Sequence, residues 1–378
     1  MTKSSSSTCS SASRTILITF SIIFIALISS ANIVNAAESS LPHDQDNAQD
    51  QSSHYHYNRF KPNKVVIDGP LLTEKLKAKN TIIVDINGNG HFKSVQAAID
   101  SVPDGNSEWV IIHVRKGVYR EKVHIPHSKP YIFMRGNGKG KSFIVWSQSS
   151  DDNLESATFK MEAPNFIAFG ISFKNDAPIG EAFTSQNQSV AAYIAGDKAA
   201  FYHCGFFSNH NTLFDAKGRH YFDACYIQGS IDFIFGRARS LYHDFEIFVL
   251  VDRRVKIHGS ITAHHREGPE EPSGYVFYKG KVYGTGKAYL GRAKGPYSRV
   301  LFAESYLSDS VAPDGWTNWS YHGPTEHLYQ AEYDCHGPGS GTAERADWTK
   351  RISADEAAPF VSVNFIDGTQ WLPAWLSS

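Results

Sequence analysis

Cysteine is scarce in this chain, which has four cysteines among 378 residues. Cys9 lies in a leader segment that we expect to be removed, which leaves Cys204, Cys225 and Cys335. Three cysteines are too few for the disulfide framework that stabilises small secreted domains. Because an unpaired cysteine packs well as a small apolar side chain, we predict that Cys204 and Cys225 are buried, stacked thiols. A disulfide between these two cysteines is the alternative.

Neither sign of charge is in excess, since 37 basic and 38 acidic residues give a formal net charge of −1. Nucleic-acid-binding domains carry clustered positive charge, so this balance gives no case for a nucleic-acid partner. A preference for an acidic ligand would have to come from local clusters of cations. The adjacent His264 and His265 point to opposite faces of a strand, which makes them a poor pair of metal ligands. This pair therefore gives no case for a metal site.

Long apolar runs are also missing beyond the N-terminus. The single candidate, Ile16–Ile28, is shorter than the ~20 residues that a membrane span needs. Lys3 and Arg14 precede it, and Val34-Asn35-Ala36 fits a signal-peptidase cleavage site. This pattern predicts a signal peptide; a membrane anchor is the alternative.

The chain therefore divides into a signal peptide (1–36), a disordered polar linker (37–63) and a folded domain (64–378). The linker is rich in Asp, Gln, Ser and Asn, so it cannot bury enough apolar surface to become ordered. After cleavage we expect a secreted, monomeric protein without a membrane partner. Sequons for N-glycosylation occur at Asn187 and Asn318, and Asn318 is the better candidate because Asn187 adjoins a predicted strand.

A repeat of 21 residues runs through the middle of the chain. The shift that carries Cys204 onto Cys225 also pairs Phe201 with Phe222, Phe206 with Ile227, Leu213 with Ile234 and Phe214 with Phe235. Short apolar strands at such a period, separated by Gly, Asn and Asp turns, are typical of a stacked β-solenoid. Helical spacing of apolar residues over 94–102 predicts a helix that covers one end of the stack.

The segment Gly229–Gly236 contains one carboxylate, Asp232, among isoleucines and phenylalanines. An unpaired buried charge costs several kcal/mol, so Asp232 needs a cation, hydrogen-bond donors or a proton. The repeat makes Asn211 its equivalent one coil away, at a spacing of ~4.8 Å. This polar pair indicates a functional site; a structural Asp and an inert asparagine ladder are the alternatives.

Three motifs occur in order along the chain: Gly117-Val-Tyr119-Arg-Glu121, Gly229–Gly236 and Leu290-Gly291-Arg292. From about Val65 to the Trp371-Leu372-Pro373 end, the chain resembles the pectin methylesterases (pectinesterases), secreted plant and microbial enzymes of the cell wall. The resemblance implies a right-handed parallel β-helix. It also implies hydrolysis of the methyl esters of homogalacturonan without a metal or other cofactor, and hence a location in the cell wall.

The resemblance also implies roles for individual residues. Asp232 corresponds to the nucleophile, and Gln188 corresponds to the glutamine that hydrogen-bonds the developing oxyanion. Arg292 corresponds to the arginine that keeps the nucleophile charged and oriented. Tyr119 and Glu121, in the first motif, are expected to be structural.

Two positions depart from the family pattern. Asn211 stands where the family has a second Asp, and an amide cannot donate a proton to methoxide or take one from water; losing a general acid–base costs ~10²–10⁴ in rate. His210, one residue away, could take over this task, but it needs a bend or bulge because neighbouring strand residues point to opposite faces. Lys294 replaces a tryptophan and gains a cation for an uronate carboxylate.

Two other functions compete with an active or weakened esterase. A homogalacturonan-binding protein that kept the cleft and lost turnover is favoured by Asn211. A polygalacturonase-like glycosidase needs two or three clustered carboxylates, whereas this sequence offers only Asp232 at its centre. The late tryptophans are expected to pack a C-terminal segment on the solenoid, or alternatively to stack on sugars; they are at positions 316, 319, 348, 371 and 375.

Overall fold

The computed structural model describes residues 69–178, 188–252, 258–341 and 343–373. The predicted signal peptide, the linker, residues 64–68, the sequon at Asn187 and Trp375 lie outside the described residues. Within the described ranges, no helix has the length and apolar character needed to cross a lipid bilayer.

Short strands are the main elements of the described chain. They are β1 Asn80–Val84, β2 Val110–Val114, β3 Gly117–Arg120, β4 Val123–Ile125, β5 Ile132–Arg135, β6 Ser142–Trp146, β7 Phe159–Met161, β8 Phe166–Phe169, β9 Ser172–Asn175, β10 Ala192–Ile194, β11 Ala199–Tyr202, β12 Gly205–Phe207, β13 Leu213–Asp215, β14 Arg219–Asp223, β15 Tyr226–Gly229, β16 Ile234–Gly236, β17 Arg239–His243, β18 Glu246–Val249, β19 Gly259–His264, β20 Gly274–Tyr278, β21 Lys281–Gly284, β22 Ala288–Arg292, β23 Arg299–Ala303, β24 Tyr306–Leu307, β25 Trp316–Thr317, β26 Tyr329–Tyr333 and β27 Lys350–Arg351. The α-helices are α1 Gly69–Leu76, α2 Val95–Asp100, α3 Asn153–Ser156 and α4 Ala354–Ala357, and the 3₁₀ turns are Pro338–Ser340, Val363–Ile366 and Gly368–Gln370.

These strands form three parallel sheets, and a typical coil contributes one strand to each. In the described residues, sheet A has eleven strands in the order β1-β2-β5-β8-β11-β14-β17-β20-β23-β26-β27. Sheets B and C have eight strands each, in the orders β3-β6-β9-β12-β15-β18-β21-β24 and β4-β7-β10-β13-β16-β19-β22-β25. The predicted right-handed parallel β-helix is confirmed.

The register of the strands reproduces the 21-residue repeat. Phe201 lies beside Phe222 in sheet A, Phe206 beside Ile227 in sheet B and Leu213 beside Ile234 in sheet C. The repeat is confirmed because each shift of 21 residues moves the chain by one full coil.

The interior of the helix is filled by stacked aromatic side chains. Phe201, Phe222, Tyr242, Phe277 and Phe302 form a continuous pile with ring centroids 4.9, 4.5, 4.5 and 4.4 Å apart and ring planes within 10° of parallel. All five are fully buried. Each such pair contributes about 0.5–1.5 kcal/mol beyond the burial of its surface. Stacking therefore holds successive coils in one register.

The two central cysteines follow the same rule. Cys204 and Cys225 are fully buried free thiols. Burial, together with the neighbouring Cys204, raises the pKa of the Cys225 thiol. The predicted buried thiols are confirmed, and these cysteines act as small core side chains.

Helix α2 covers the N-terminal end of the coils, as its apolar spacing predicts. Ser94 is the N-cap, and the Glu121 carboxylate accepts hydrogen bonds from Ser94 Oγ at 2.6 Å and from two backbone N–H groups of the first turn at 2.7 and 3.0 Å. The Gln96 side-chain amide accepts from the backbone N–H of His124 at 2.7 Å and donates to its carbonyl at 3.1 Å. Glu121 thus has the structural role expected for its motif.

The C-terminal segment packs on the outer face of sheet A, as predicted. Phe365, Ile366 and Leu372 are buried there, with Trp371 against them. Other tryptophans divide between the core and the surface: Trp316 is 1% exposed, whereas Trp319 is 40% exposed. This segment and α1 both pack on sheet A, so they do not cover the outer face of sheet C, where the candidate site lies.

Candidate active site

The candidate site lies where the chain turns from sheet B into sheet C. Asn211 precedes β13 and Asp232 precedes β16, and their neighbours His210 and Ile231 form a parallel bridge. Both turn residues are left-handed, with φ of 51° at Asn211 and 45° at Asp232. Asn and Asp tolerate this conformation better than other non-glycine residues. The turns therefore place the amide and the carboxylate on successive coils, as the spacing predicts.

Asp232 is held by an arginine from two coils further on. Arg292 Nε lies 2.9 Å from each oxygen of the Asp232 carboxylate, and Nη2 lies 2.7 Å from Oδ2. Ser260 Oγ donates another hydrogen bond to Oδ1. The carboxylate side chain is 14% exposed and that of Arg292 is 10% exposed. This charge-assisted contact fixes the carboxylate in one orientation while leaving it accessible from outside.

Arg292 is itself positioned by the loop after β25. Its Nη1 donates to Ser320 Oγ at 2.9 Å, and its guanidinium carbon lies 5.0 Å from the ring centroid of Trp319. A cation over an indole face is attracted by the ring quadrupole. The exposed Trp319 therefore contributes to holding Arg292 and borders the site.

Gln188 and Asn211 form a pair on the other side of Asp232. Asn211 Nδ2 donates to Gln188 Oε1 at 3.1 Å. Two backbone hydrogen bonds of 3.0 Å between Gln188 and Ser150 fix the main chain of the glutamine. Because the Gln188 carbonyl faces Asn211, its NH₂ group is the part of the amide that can donate to a ligand.

His210 points to a different carboxylate. Its Nε2 lies 3.3 Å from Asp252 Oδ2, and both side chains are 7% exposed. His210, the predicted proton carrier, is the sequence neighbour of Asn211, but its side chain contacts Asp252.

Lys294 lies against an aromatic side chain of sheet C. Its Nζ is 5.6 Å from the ring centroid of Phe235. Although the side chain reaches the surface, desolvation lowers the pKa of Lys294; attraction to Asp232 opposes this shift and repulsion from Arg292 reinforces it. The position that the resemblance assigns to an aromatic ring therefore carries a cation within electrostatic range of Asp232.

Comparison with known proteins identifies the family and supports the fold. The family model described as Pectinesterase matches residues 81–369. The chain belongs to the pectinesterase family. It is 66% identical over 313 residues to probable pectinesterase 67 of Arabidopsis thaliana, an alignment that covers 83% of this chain and 91% of the relative.

Solved pectinesterase structures share the β-helix. The pectin methylesterase from carrot is 30% identical, with a TM-score of 0.73, and the match covers 78% of this chain and 95% of the carrot chain. A pectin methylesterase in complex with a hexasaccharide is 19% identical, with a TM-score of 0.64 over 76% of this chain and 96% of that chain. The second likeness supports the fold alone.

One part of the candidate site was missed by sequence reasoning. A cavity of about 230 Å³ adjoins Asp232 on the side of the later coils, and its lining includes Ser260, Arg292, His258, Tyr289 and Trp319. Ser260 follows Asp232 by 28 residues rather than 21. The lengthened coil breaks the repeat, so the period gave no signal for the neighbours of Asp232 on this side.

A second buried carboxylate of the pectinesterase domain, Asp215, has a different environment. Asp215 is fully buried; it pairs with His220 Nδ1 at 2.5 Å and accepts hydrogen bonds from Ser240 and Tyr242 at 2.5 and 2.8 Å. Its oxygens are saturated by internal donors and have no access to a ligand, which indicates a structural role. Across the described ranges, no group of three or more His, Cys, Asp or Glu side chains could hold a metal ion.

Proposed function

We propose that this chain hydrolyses the methyl esters of homogalacturonan to pectate and methanol, with Asp232 as the nucleophile. The observation that carries the proposal is the Asp232 carboxylate, oriented by Arg292 and Ser260 and accessible from outside. Family membership supports the reaction class, and the pairing with Arg292 supports the choice of nucleophile.

The first step is nucleophilic addition. A carboxylate oxygen of Asp232 bonds to the ester carbonyl carbon, and the electron pair of the C=O double bond moves onto the carbonyl oxygen. The Gln188 NH₂ group donates a hydrogen bond to this developing oxyanion. Such a donor contributes about 2.7–4 kcal/mol to the transition state. Asn211 positions Gln188 by holding its carbonyl oxygen.

The second step needs a proton carrier. The C–OCH₃ bond breaks, methoxide takes a proton to become methanol, and an anhydride joins Asp232 to galacturonate. Water then adds to the anhydride, loses a proton to a base and releases the Asp232 carboxylate. The Asn211 amide can serve neither as acid nor as base. His210 is the carrier that the sequence offers, and it must exchange its contact with Asp252 to act.

Substrate binding is proposed to involve Lys294 and Arg292, with Trp319 beside them. The Lys294 ammonium offers a partner to a free uronate carboxylate, and its closeness to Phe235 supports a position of that charge on the outer side of sheet C. The exposed indole of Trp319 provides an apolar face on which a sugar ring can stack.

Methanol release from highly esterified homogalacturonan tests the proposal, with reducing-end formation measured in parallel. We expect methanol without new reducing ends, and no methanol from the Asp232→Asn variant. New reducing ends without methanol would contradict the proposal and indicate cleavage of the glycosidic bond.

A catalytically impaired homogalacturonan-binding protein is the second candidate, because Asn211 is engaged with Gln188 and carries no proton. Retention of the wild-type protein on immobilised pectin without methanol release would favour it. Methanol release by Asn211→Asp in that situation would locate the missing function at Asn211.

We further propose that the protein is secreted to the cell wall as a monomer, with Asn318 glycosylated. Asn318 is exposed in the described structure. Recovery of the protein from cell-wall fluid, with an N-terminus just after Ala36, an Asn318 glycopeptide and a monomeric mass by light scattering, is the expected result. Retention of residues 1–36 in a membrane fraction would favour an anchor.

A further inference from the structure

Along the axis of the β-helix, the residues around Asp232 come from the earlier coils on one side and from the later coils on the other. Gln188 and Asn211 come from earlier coils, whereas Ser260, Arg292 and the 230 Å³ cavity belong to later coils. An oxyanion held by Gln188 lies on the earlier side. The methoxy oxygen is bonded to the same tetrahedral carbon, so it points away from Gln188, and the cavity lies in that direction.

His258 lines this cavity together with Asp232. It precedes Ser260 by two residues, so both side chains project from the same face of the chain as it enters β19. Ser260 Oγ contacts the Asp232 carboxylate, which places that face toward the nucleophile. Asp232 lies one strand spacing from Ser260, and His258 is two residues away from Ser260 along the chain. The backbones of His258 and Asp232 are therefore roughly 8 Å apart. An imidazole and an ester bound to Asp232 can meet across such a gap.

Among the described residues, no carboxylate is paired with the imidazole of His258. Its ring centroid lies 5.9 Å from that of Tyr289, at an angle of 60°, and among the described residues neither ring nitrogen makes a hydrogen bond. His210, by contrast, faces Asp252. Burial raises the pKa of Tyr289, so its phenol stays neutral beside the imidazole.

We propose that His258 is the general acid and base of the reaction, in place of the carboxylate that Asn211 lacks; this inference rests on the proposed esterase function. Imidazolium N–H gives its proton to the methoxy oxygen as the C–OCH₃ bond breaks, which releases methanol and leaves neutral imidazole. The same nitrogen then takes a proton from water as the water oxygen bonds to the anhydride carbonyl carbon. Breakdown of that adduct restores the Asp232 carboxylate, and the imidazolium is ready for the next turnover.

Charged and titratable groups on several elements surround His258. Asp232 and Arg292 share its cavity, and Tyr289 packs on its ring. A second cavity that His258 also lines contains Asp252, Lys287 and Asp309. A pH profile must therefore be compared between variants that leave these groups unchanged.

The test compares methanol release by wild type, His258→Gln and His127→Gln as a function of pH. His127 is an exposed histidine beyond β4, four coils or roughly 20 Å from Asp232, and serves as the matched control. We expect His258→Gln to lower kcat by about 10² or more, to leave KM within a few-fold and to remove the ionisation that the imidazole contributes to the profile. His127→Gln should match wild type.

Two rescue measurements separate proton transfer from a structural role. Added imidazole should restore part of the activity of His258→Ala, and the loss in His258→Gln should shrink when it is combined with Asn211→Asp. A merely structural histidine would be rescued by neither.

Some outcomes would overturn the proposal. If His258→Gln releases methanol at the wild-type rate with the wild-type pH profile, His258 is not the carrier. If only His210→Gln shows the loss, the proton passes through His210. A wild type without methanol release would instead contradict the proposed esterase function itself, so the two failures are distinguishable.

Discussion

The turns that carry Asn211 and Asp232 have nearly the same backbone, with φ of 51° and 45°, but their side chains take partners on opposite sides. Asn211 donates to Gln188 from an earlier coil, whereas Asp232 is bound by Arg292 from two coils later. Stacking of coils therefore repeats the backbone without repeating the chemistry. A left-handed turn at this edge of sheet C presents one polar side chain outward, and its neighbours decide what that group does.

The difference in partners follows from charge. A partly buried carboxylate needs a cation, which Arg292 supplies, whereas a neutral amide is satisfied by one hydrogen bond to another amide. A single substitution can therefore give both turns an amide or both turns a carboxylate without changing the backbone.

Asp232→Asn makes both turns amides and should have the largest effect. We expect methanol release to fall to the background of the substrate alone, because an amide oxygen is a poor nucleophile toward an ester. The fold should persist because the side chain keeps its shape, so the unfolding temperature should stay within a few degrees of wild type. Activity within a few-fold of wild type would remove Asp232 from the mechanism.

Arg292→Ala removes the cation of the Asp232 turn and should harm both stability and activity. Breaking a fully buried ion pair costs about 3–5 kcal/mol, and the residual exposure of both side chains reduces the expected loss to about 2–4 kcal/mol. Chemical denaturation measures this loss, and methanol release should fall with it.

Arg292→Lys is the matched control, since it keeps the positive charge and loses the paired N–H donors. It should recover much of the stability and little of the activity. A fully stable and active Arg292→Ala protein at neutral pH would show that Asp232 does not depend on this contact.

Asn211→Asp gives both turns a carboxylate. The new group can pass protons to methoxide and from water, so we expect kcat to rise by up to about 10²-fold. The pH optimum should move toward acid, because a carboxylic acid then shares the task of an imidazole. Asn211→Gly, which accepts the left-handed turn without any side chain, is the control and should show no gain. An unchanged rate in Asn211→Asp would mean that proton transfer is not limiting.

Lys294→Gln should have the smallest effect, and it should weaken substrate binding without changing the two turns. We expect KM for partly de-esterified homogalacturonan to rise several-fold, with little change in kcat or with fully esterified substrate. Because the pKa of Lys294 is lowered, its ammonium loses its proton at a lower pH than an ordinary lysine. The lower KM of wild type relative to Lys294→Gln should thus be present at neutral pH and should disappear as the pH rises through that pKa. An equal rise in KM on both substrates would argue for a steric role.

The sequence predicted those parts of the site that depend on the regular repeat. The 21-residue shift relates Asn211 to Asp232 because both turns connect strands in strict register. The burial of Asp232 among apolar residues predicted only that it needs a cationic or hydrogen-bonding partner. The choice of Arg292 came from the family resemblance of the Leu290-Gly291-Arg292 motif.

Other parts could not be predicted, since they depend on irregular segments. The coil after Asp232 is longer, and this lengthening brings Ser260 and His258 beside the carboxylate. The contact of His210 with Asp252 joins residues 42 positions apart through a turn without a sequence signature. Trp319 was placed among the packing tryptophans, but the side chain lies over Arg292.

The side chain of Gln96 has a consequence for the behaviour of the molecule in concentrated solution. A parallel β-helix is open to elongation at its ends, because each terminal strand offers hydrogen-bonding groups to a strand of another molecule. On β4, the first strand of sheet C, the backbone groups of His124 are already occupied by the Gln96 amide, which imitates the peptide group of an incoming strand. The edge of sheet C is thereby protected at His124 against pairing with a strand of another molecule, and Glu121 holds Gln96 in place through the first turn of α2.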